Sequence, residues 1–398
     1  MNELPVGRRV AQWRVRRNMT QQQFADRLGK SKSWVDKVER GVRRLERVSN
    51  LREIADALRI DLEALLAERP GQPDPAAAGV ERVRAALARY HVEASTRPPD
   101  VAELRARLGH AEQSYRHARY PELLTLLPGL LDAARAARAT RPGRATDDLL
   151  VPVYGLIALV LVKVDQGELA WLAADRGMAV AMATNDPKVA AVATVPLAQA
   201  LRYGGRQRSA MEAAVVAAHR IMPPRPGADP PADPSLLGTL LLQAALAAAG
   251  RGDECDVQEL LAQAAEAAQA ARTAEAVRDV GVGDGGFGRA AVEAARVVAE
   301  AALGDVAAAV VRHERLTAGD EWRWLPPEHR AAYLIDAARA YAQTGDMLRA
   351  GRALLDAERT ARGEVHDRPA VRDVVAVVAR SAAAPAGVAR LAATLHVT

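Results

Sequence analysis

The sequence predicts an all-α protein in two parts: a small N-terminal helical bundle, then an α-solenoid of paired helices. Three observations predict it. Residues 20–41 read as two short helices across a tight turn. Beyond residue 79, Ala, Leu, Arg and Glu dominate and strand-like runs are few. Glycine turn signals recur there at Gly167-Glu168, Gly252-Asp253, Gly304-Asp305 and Gly345-Asp346. Repeats near that length mean stacked helix pairs, units that cannot bury their apolar faces alone. The boundaries fall at 1–68 for the bundle, 69–79 for a linker and 80–398 for the repeats.

The first helix turns Val10 and Trp13 inward, and Met19 closes its end. Thr20 and Gln23 then form a capping box that starts the second helix. Phe24, Ala25 and Leu28 supply that helix with an apolar face, and Gly29 permits the turn. Ser31 caps the third helix, whose Val35 and Val38 point inward while Lys32, Ser33, Asp36 and Lys37 point out. A short polar helix with basic residues outward, held on a small apolar support, is what base readout in a DNA major groove requires. Leu51, Ile54, Ala55 and Leu58 repeat at helical spacing, and Leu62, Leu65 and Leu66 continue the core as a fifth helix. Arg43, Arg44 and Arg47 occupy the loop before the fourth helix, where backbone phosphates would pass. Phosphate contacts give affinity and register but little sequence information.

Charge gives the same answer independently. Residues 1–69 hold 16 Lys and Arg against 10 Asp and Glu, a net of +6, while the whole chain is +5. The excess positive charge therefore belongs to the N-terminal segment, the electrostatic footprint of a polyanion partner. Of five lysines in the chain, Lys30, Lys32 and Lys37 lie in or beside the third helix.

On these residues, segment 4–66 resembles the five-helix DNA-binding domain of the phage Cro and lambda-repressor type, the XRE family. The run SKSWVDKVERGVRRLERV is similar to a form common in actinobacterial regulators. By position, the resemblance implies that Lys32, Ser33 and Lys37 contact bases and that Gln21, Arg40 and Arg43 hold phosphates. Trp34 stands where the family usually has a small residue, and inward packing is the reading favoured over a groove contact.

The linker RPGQPDPAAAG stops the bundle with prolines and makes a semi-extended spacer. In the last repeat, Ala338, Tyr341, Gly345, Ala350, Leu354 and Ala357 match tetratricopeptide spacing, with small residues that let two helices approach closely. The segments LGHAEQSYRHARYPELLTLLPGLLDAAR and GELAWLAADRGMAVA match more loosely. Two breaks interrupt the array, the proline-rich 222–234 and the glycine-rich 281–288, and the tail from 367 reads as a capping pair. This region also resembles the domain that follows the same helix-turn-helix in actinobacterial regulators. In that family a mid-domain Phe-Gly is followed by Pro, a small hydroxyl residue and Asn. Here the residues are Phe287, Gly288, Arg289, Ala290 and Ala291, which implies a different effector or none at that place.

Enzyme motifs mostly fail. GVGDGG at 281–286 satisfies a dinucleotide-loop pattern but lacks the strand and the βαβ unit that such a site needs. LGKS at 28–31 ends like a phosphate loop, yet Phe24 stands where its first glycine belongs. The eight histidines show no metal-ligand spacing; His110 and His117 could share a helix face, but nothing completes a site. One cysteine, Cys255, rules out an intramolecular disulfide framework and suits a reducing cytoplasm. No signal segment is read at the N-terminus, and the apolar runs at Leu156–Val162 and Leu236–Ala249 are too short or too polar for a bilayer. No nucleophile, base and orienting group can be assembled. No catalytic activity, cofactor or metal is expected.

The expectation is a cytoplasmic, nucleoid-associated transcriptional regulator that binds double-stranded DNA as a homodimer. Its half-sites should lie about one helical turn, roughly 34 Å, apart. The repeat domain dimerises, senses a small-molecule or peptide effector, or does both, with Trp171, Trp322 and Trp324 as a candidate groove. The alternative is a DNA-tethered scaffold whose repeats bind a partner protein, and the alternative for the tryptophans is that they fill gaps between Ala-rich helices.

Overall fold

The computed structural model describes residues 6–17, 19–41, 43, 48–58, 60, 75–90, 100–222, 233–278 and 286–397. Leu62, Leu65 and Leu66, the loop residues Arg44 and Arg47, and most of the linker lie outside the described residues. So do 223–232 of the proline-rich break and 279–285 of the glycine-rich one. Among the described residues every regular element is a helix. The chain divides into two compact units, Met1–Ala78 and Gly79–Thr398.

In the first unit, α1 (Val6–Arg16), α2 (Gln21–Arg27), α3 (Lys32–Glu39) and α4 (Val48–Leu58) surround one apolar cluster. Val10, Phe24, Ala25, Val35 and Ile54 are fully enclosed there, with Met19, Leu51, Ala55 and Leu58 beside them. The spacing that predicted the core thus finds it. The caps also hold: Gln23 N donates to Thr20 Oγ1 at 3.2 Å, and Thr20 N donates to Gln23 Oε1 at 2.9 Å. Ser31 Oγ accepts from Trp34 N at 3.2 Å and starts α3. Trp34 packs half-buried against the core, as favoured. One contact was not foreseen: a Cβ at Gly7 would collide with the carbonyl oxygen of Val38, so glycine lets α1 lie directly on the end of α3.

The second unit is an array of pairs. α5 (Pro75–Ala88) leads into it, followed by α6 (Val101–Arg116) with α7 (Tyr120–Thr140) and α8 (Arg144–Lys163) with α9 (Gly167–Ala183). Then come α10 (Pro187–Tyr203) with α11 (Gln207–Ile221) and α12 (Pro234–Ala249) with α13 (Glu254–Arg278). The last pairs are α14 (Arg289–Leu303) with α15 (Val306–Ala318) and α16 (Pro327–Gln343) with α17 (Met347–Thr360). A 3-10 turn, Asp320–Trp324, precedes α16. The short α18 (Arg362–His366) precedes a terminal pair, α19 (Arg372–Ala379) and α20 (Ala386–Thr394), which packs on α17 as the expected cap.

Each of the six pairs turns on one residue with positive φ: Ala118, Asp165, Gly205, Gly252, Gly304 and Gly345. In the last repeat and its neighbour, the glycine is followed by an aspartate that caps the next helix. Asp305 Oδ1 accepts from Ala308 N at 3.1 Å, and Asp346 Oδ1 accepts from Arg349 N at 2.9 Å. The Gly-Asp signature is therefore a left-handed stop joined to an N-cap. Gly167 breaks the rule. It opens α9, and the bend belongs to Asp165 two residues earlier.

Small residues set the closeness of the stack. Ala338, Ala350 and Ala357 are fully enclosed, as are Ala244, Ala247 and Ala248 on α12. Gly238 on α12 leaves room for the Phe287 ring, which a Cβ there would strike. The apolar run around Leu156 proves longer than read from sequence, because the helix extends back to Arg144. α8 has the length and composition to cross a bilayer, yet 67% of its apolar window is buried within the array, so it is a core helix of the stack.

Candidate nucleic-acid interface and the interior of the repeat unit

The outward face of α3 is built by what its other face must do. At about 100° per residue, Val35, Val38 and Glu39 fall on one side, and all three are buried. Ser33 and Lys37 fall opposite, Lys32 opens the first turn beside Glu39, and all three are exposed, with no side-chain hydrogen bond or ion pair among the described residues. Three polar side chains, two of them cationic, thus stand free on a short helix whose position is fixed by packing.

The flanking residues are less free. Arg40 is exposed and reaches Asp36 at 3.4 Å, an exposed pair of about 0–1 kcal/mol that a phosphate would readily displace. Arg43 is exposed, with its guanidinium carbon 6.0 Å from the centre of the Trp34 ring and its backbone N–H on the Lys37 carbonyl at 3.0 Å. Gln21 is held inward, its Nε2 donating to Glu39 Oε2 at 2.8 Å.

Glu39 is the residue that the periodicity does not explain. It is a buried carboxylate that accepts from Arg14 Nε at 2.6 Å and Arg14 Nη2 at 3.1 Å, as well as from Gln21. Arg14 Nη1 also donates to the Met19 carbonyl at 2.7 Å. One charged group therefore ties α1, the start of α2 and the end of α3 together. The signal in the sequence is a glutamate beside inward Val38, which demands a cation that only the fold supplies.

A second set of charges lies inside the repeat unit, where the first pair meets the last. Glu364 on α18 is fully buried. It takes Lys163 Nζ of α8 at 2.8 Å, a close hydrogen bond from the Tyr120 hydroxyl of α7, and a close contact with Arg368. Lys163 also bonds Glu328 of α16 closely. Burial opposes ionisation of Glu364, but Lys163 and then Arg368 outweigh it and hold the carboxyl below its usual range. Nearby, a Cβ on Gly363 would collide with the Ala118 carbonyl, so the two ends of the array touch through backbone.

The tryptophans named from sequence do not converge. Trp322 lines an open cavity of about 590 Å³ with His313, Tyr341, Arg349 and others. Trp171 packs against the central core with Arg206 stacked 5.0 Å from its ring centre, and Trp324 is exposed; neither lines that cavity. His110 pairs with Glu122 at 3.3 Å and His117 Nδ1 lies 2.9 Å from the Gln113 carbonyl oxygen. Among the described residues no group of His, Cys, Asp and Glu has a metal-holding arrangement. Cys255 is exposed near the start of α13.

The family model of a helix-turn-helix domain matches residues 5–68. No curated protein matches the chain in sequence. Three solved structures resemble it, each at 12% identity. Bacillus thuringiensis PlcR, in complex with the peptide PapR7 and DNA, has a TM-score of 0.30 over 69% of this chain and 98% of its own. Aspartyl phosphate phosphatase F from Bacillus subtilis has a TM-score of 0.42 over 90% and 94%. A point mutant of PrgX has a TM-score of 0.33 over 85% and 95%.

Proposed function

We propose that the chain is a sequence-specific DNA-binding transcriptional regulator, and no enzyme, whose repeat unit governs the DNA-binding unit. The observation that carries this reading is α3. The side chains of its Lys32, Ser33 and Lys37 are exposed and unpaired on a helix whose Val35, Val38 and Glu39 pack inward, within a segment that matches a helix-turn-helix domain. Lys32, Ser33 and Lys37 read base edges, and Arg40 and Arg43 hold backbone phosphates. Gln21 serves at the same edge through its second amide N–H, the first being engaged by Glu39.

One copy presents a single α3 and so covers one half-site. A homodimer engages two half-sites about one turn, roughly 34 Å, apart. The repeat unit supplies the dimer contacts, a binding site for a small-molecule or peptide effector, or both. Because binding free energies are linked, an effector that changes DNA affinity is itself bound more or less tightly by the same factor when DNA is present. The protein works in the cytoplasm, on the nucleoid.

The test is selection from a random DNA pool by the full-length protein, read by sequencing. A two-fold symmetric motif with half-sites about one turn apart is expected. Recovery of the unselected base composition at low salt, by the full-length protein and by the isolated segment 1–78 alike, would overturn the reading.

A further inference from the structure

The cavity beside Trp322 has a composition that calls for a ligand of a definite kind. Its inner wall is aromatic. His313 of α15 lies 5.5 Å from the Tyr333 ring and 5.6 Å from the Tyr341 ring, and Trp322 lies 5.3 Å from Tyr333. His313 Nδ1 is 3.0 Å from the Tyr333 hydroxyl, which fixes the imidazole plane. Burial lowers the pKa of His313, against a weaker opposing pull from Glu314, so the wall carries no charge at neutral pH.

The mouth is cationic. Arg349, Arg352 and Arg359 of α17 all line it. Two carboxylates line it as well, but both are already engaged: Glu314 accepts from Arg349 at 2.8 Å, and Asp356 bonds Arg359 closely. Arg349 also leans over the Tyr341 ring at 5.9 Å. Arg352 is exposed, and its side chain makes no hydrogen bond or ion pair among the described residues. The lining therefore holds three guanidinium groups against two carboxylates, with the unmatched cation beside an aromatic pocket.

The volume, about 590 Å³, lies within the range of small-molecule sites, roughly 300–1,000 Å³. An unpaired guanidinium offers a planar fork of donors suited to carboxylate, sulfonate or phosphate oxygens. The rings beside it offer face and edge contacts to a flat apolar body. A cationic ligand would meet Arg352 without a free carboxylate to offset it.

We propose that this cavity, between α15 and α17 and lined by Trp322, binds a small aromatic acid. The ring system lies against Trp322 and Tyr341, and the anionic group pairs with Arg352. The proposal rests on the reading of the repeat unit as the sensing half of the protein and gives that half a ligand class.

The test uses the full-length protein and two fluorescent probes that share one ring system. 8-Anilinonaphthalene-1-sulfonate carries an anionic group; N-phenyl-1-naphthylamine lacks it. The sulfonate is expected to bind at least tenfold more tightly than the neutral amine. Arg352→Glu should weaken the sulfonate at least tenfold and leave the amine within twofold. Salicylate should displace the sulfonate from wild-type protein, and benzylamine should not. Equal affinity for the two probes, or an unchanged sulfonate affinity in Arg352→Glu, would overturn the proposal. Arg352 is exposed, so the substitution leaves the core intact. Selection from the DNA pool uses no probe, and so the regulator reading and the ligand site succeed or fail on separate measurements.

Discussion

Lys37 and Arg43 are six residues apart, and the proposed function gives them different work on DNA. The Lys37 side chain stands free on the outward face of α3, where the proposed docking would bring it to base edges. Lys37→Ala is expected to cost about 1–3 kcal/mol of operator binding and to relax preference at one base pair. Competition with single-base variants of the selected operator measures both effects. If affinity and preference both survive, α3 is docked in another register. Arg43 lies just past the helix, over Trp34, where a phosphate would pass. Arg43→Ala should weaken all sequences alike and reduce the slope of log affinity against log salt by about one. A loss confined to one base position would move Arg43 to base readout. The exposure of Lys37 was legible, because period sets it opposite the inward Val35 and Val38. The Arg14–Glu39 pair was not legible. Its members are 25 positions apart, and only the packing of α1 on α3 brings them together.

At the scale of elements, helix pairs are joined by left-handed bends, and glycine marks only some of them. Gly252, Gly304 and Gly345 could be read because an L side chain is costly at their φ of 76°, 95° and 80°. Ala118 and Asp165 adopt the same bend without glycine, so their turns were invisible, and the nearest glycine, Gly167, drew the α8–α9 turn two residues too late. The solenoid was legible from alanine and leucine spacing; the positions of its joints were legible only where sterics forced the residue. A paired substitution tests this account. Gly345→Ala should destabilise the repeat unit by about 1–2 kcal/mol, the cost of a Cβ in the left-handed region. Gly319 ends α15 at φ −82°, with its nearest neighbour 3.4 Å from an added Cβ. Gly319→Ala should therefore be neutral or stabilise by up to about 1 kcal/mol, through the unfolded chain. Urea midpoints of the two variants give the comparison, and equal losses would show that loop packing, not φ, sets the cost.

Across the whole repeat unit, the second pair is joined by charge to the last pair and to α18. Nothing in the local sequence announces this. Lys163 and Glu364 are 201 positions apart, and each reads alone as a solvated helix residue. Their burial makes the closure sensitive to acid, and the sign follows from linkage. Glu364 has a folded pKa below its ordinary value, because Lys163 and Arg368 outweigh the cost of burying the carboxylate. Between the two pKa values the unfolded chain binds the proton more readily than the folded one. Stability from this group is then complete above the ordinary carboxylate range of about 4.3 and is lost as pH falls through the folded value. Glu364→Gln removes the titration but leaves Lys163 and Arg368 with a neutral partner in a buried place. It should cost about 3–5 kcal/mol at pH 7, the usual penalty for breaking a buried pair. The difference between wild type and variant should shrink as pH drops below about 4.3, where the unfolded chain's carboxyl takes up a proton that the folded one accepts only at lower pH. Urea unfolding followed from pH 7 to pH 3 reads that difference directly. A gap that stayed constant to pH 3 would mean that Glu364 acts through its shape and hydrogen bonds, and that charge does not hold the ends of the array together.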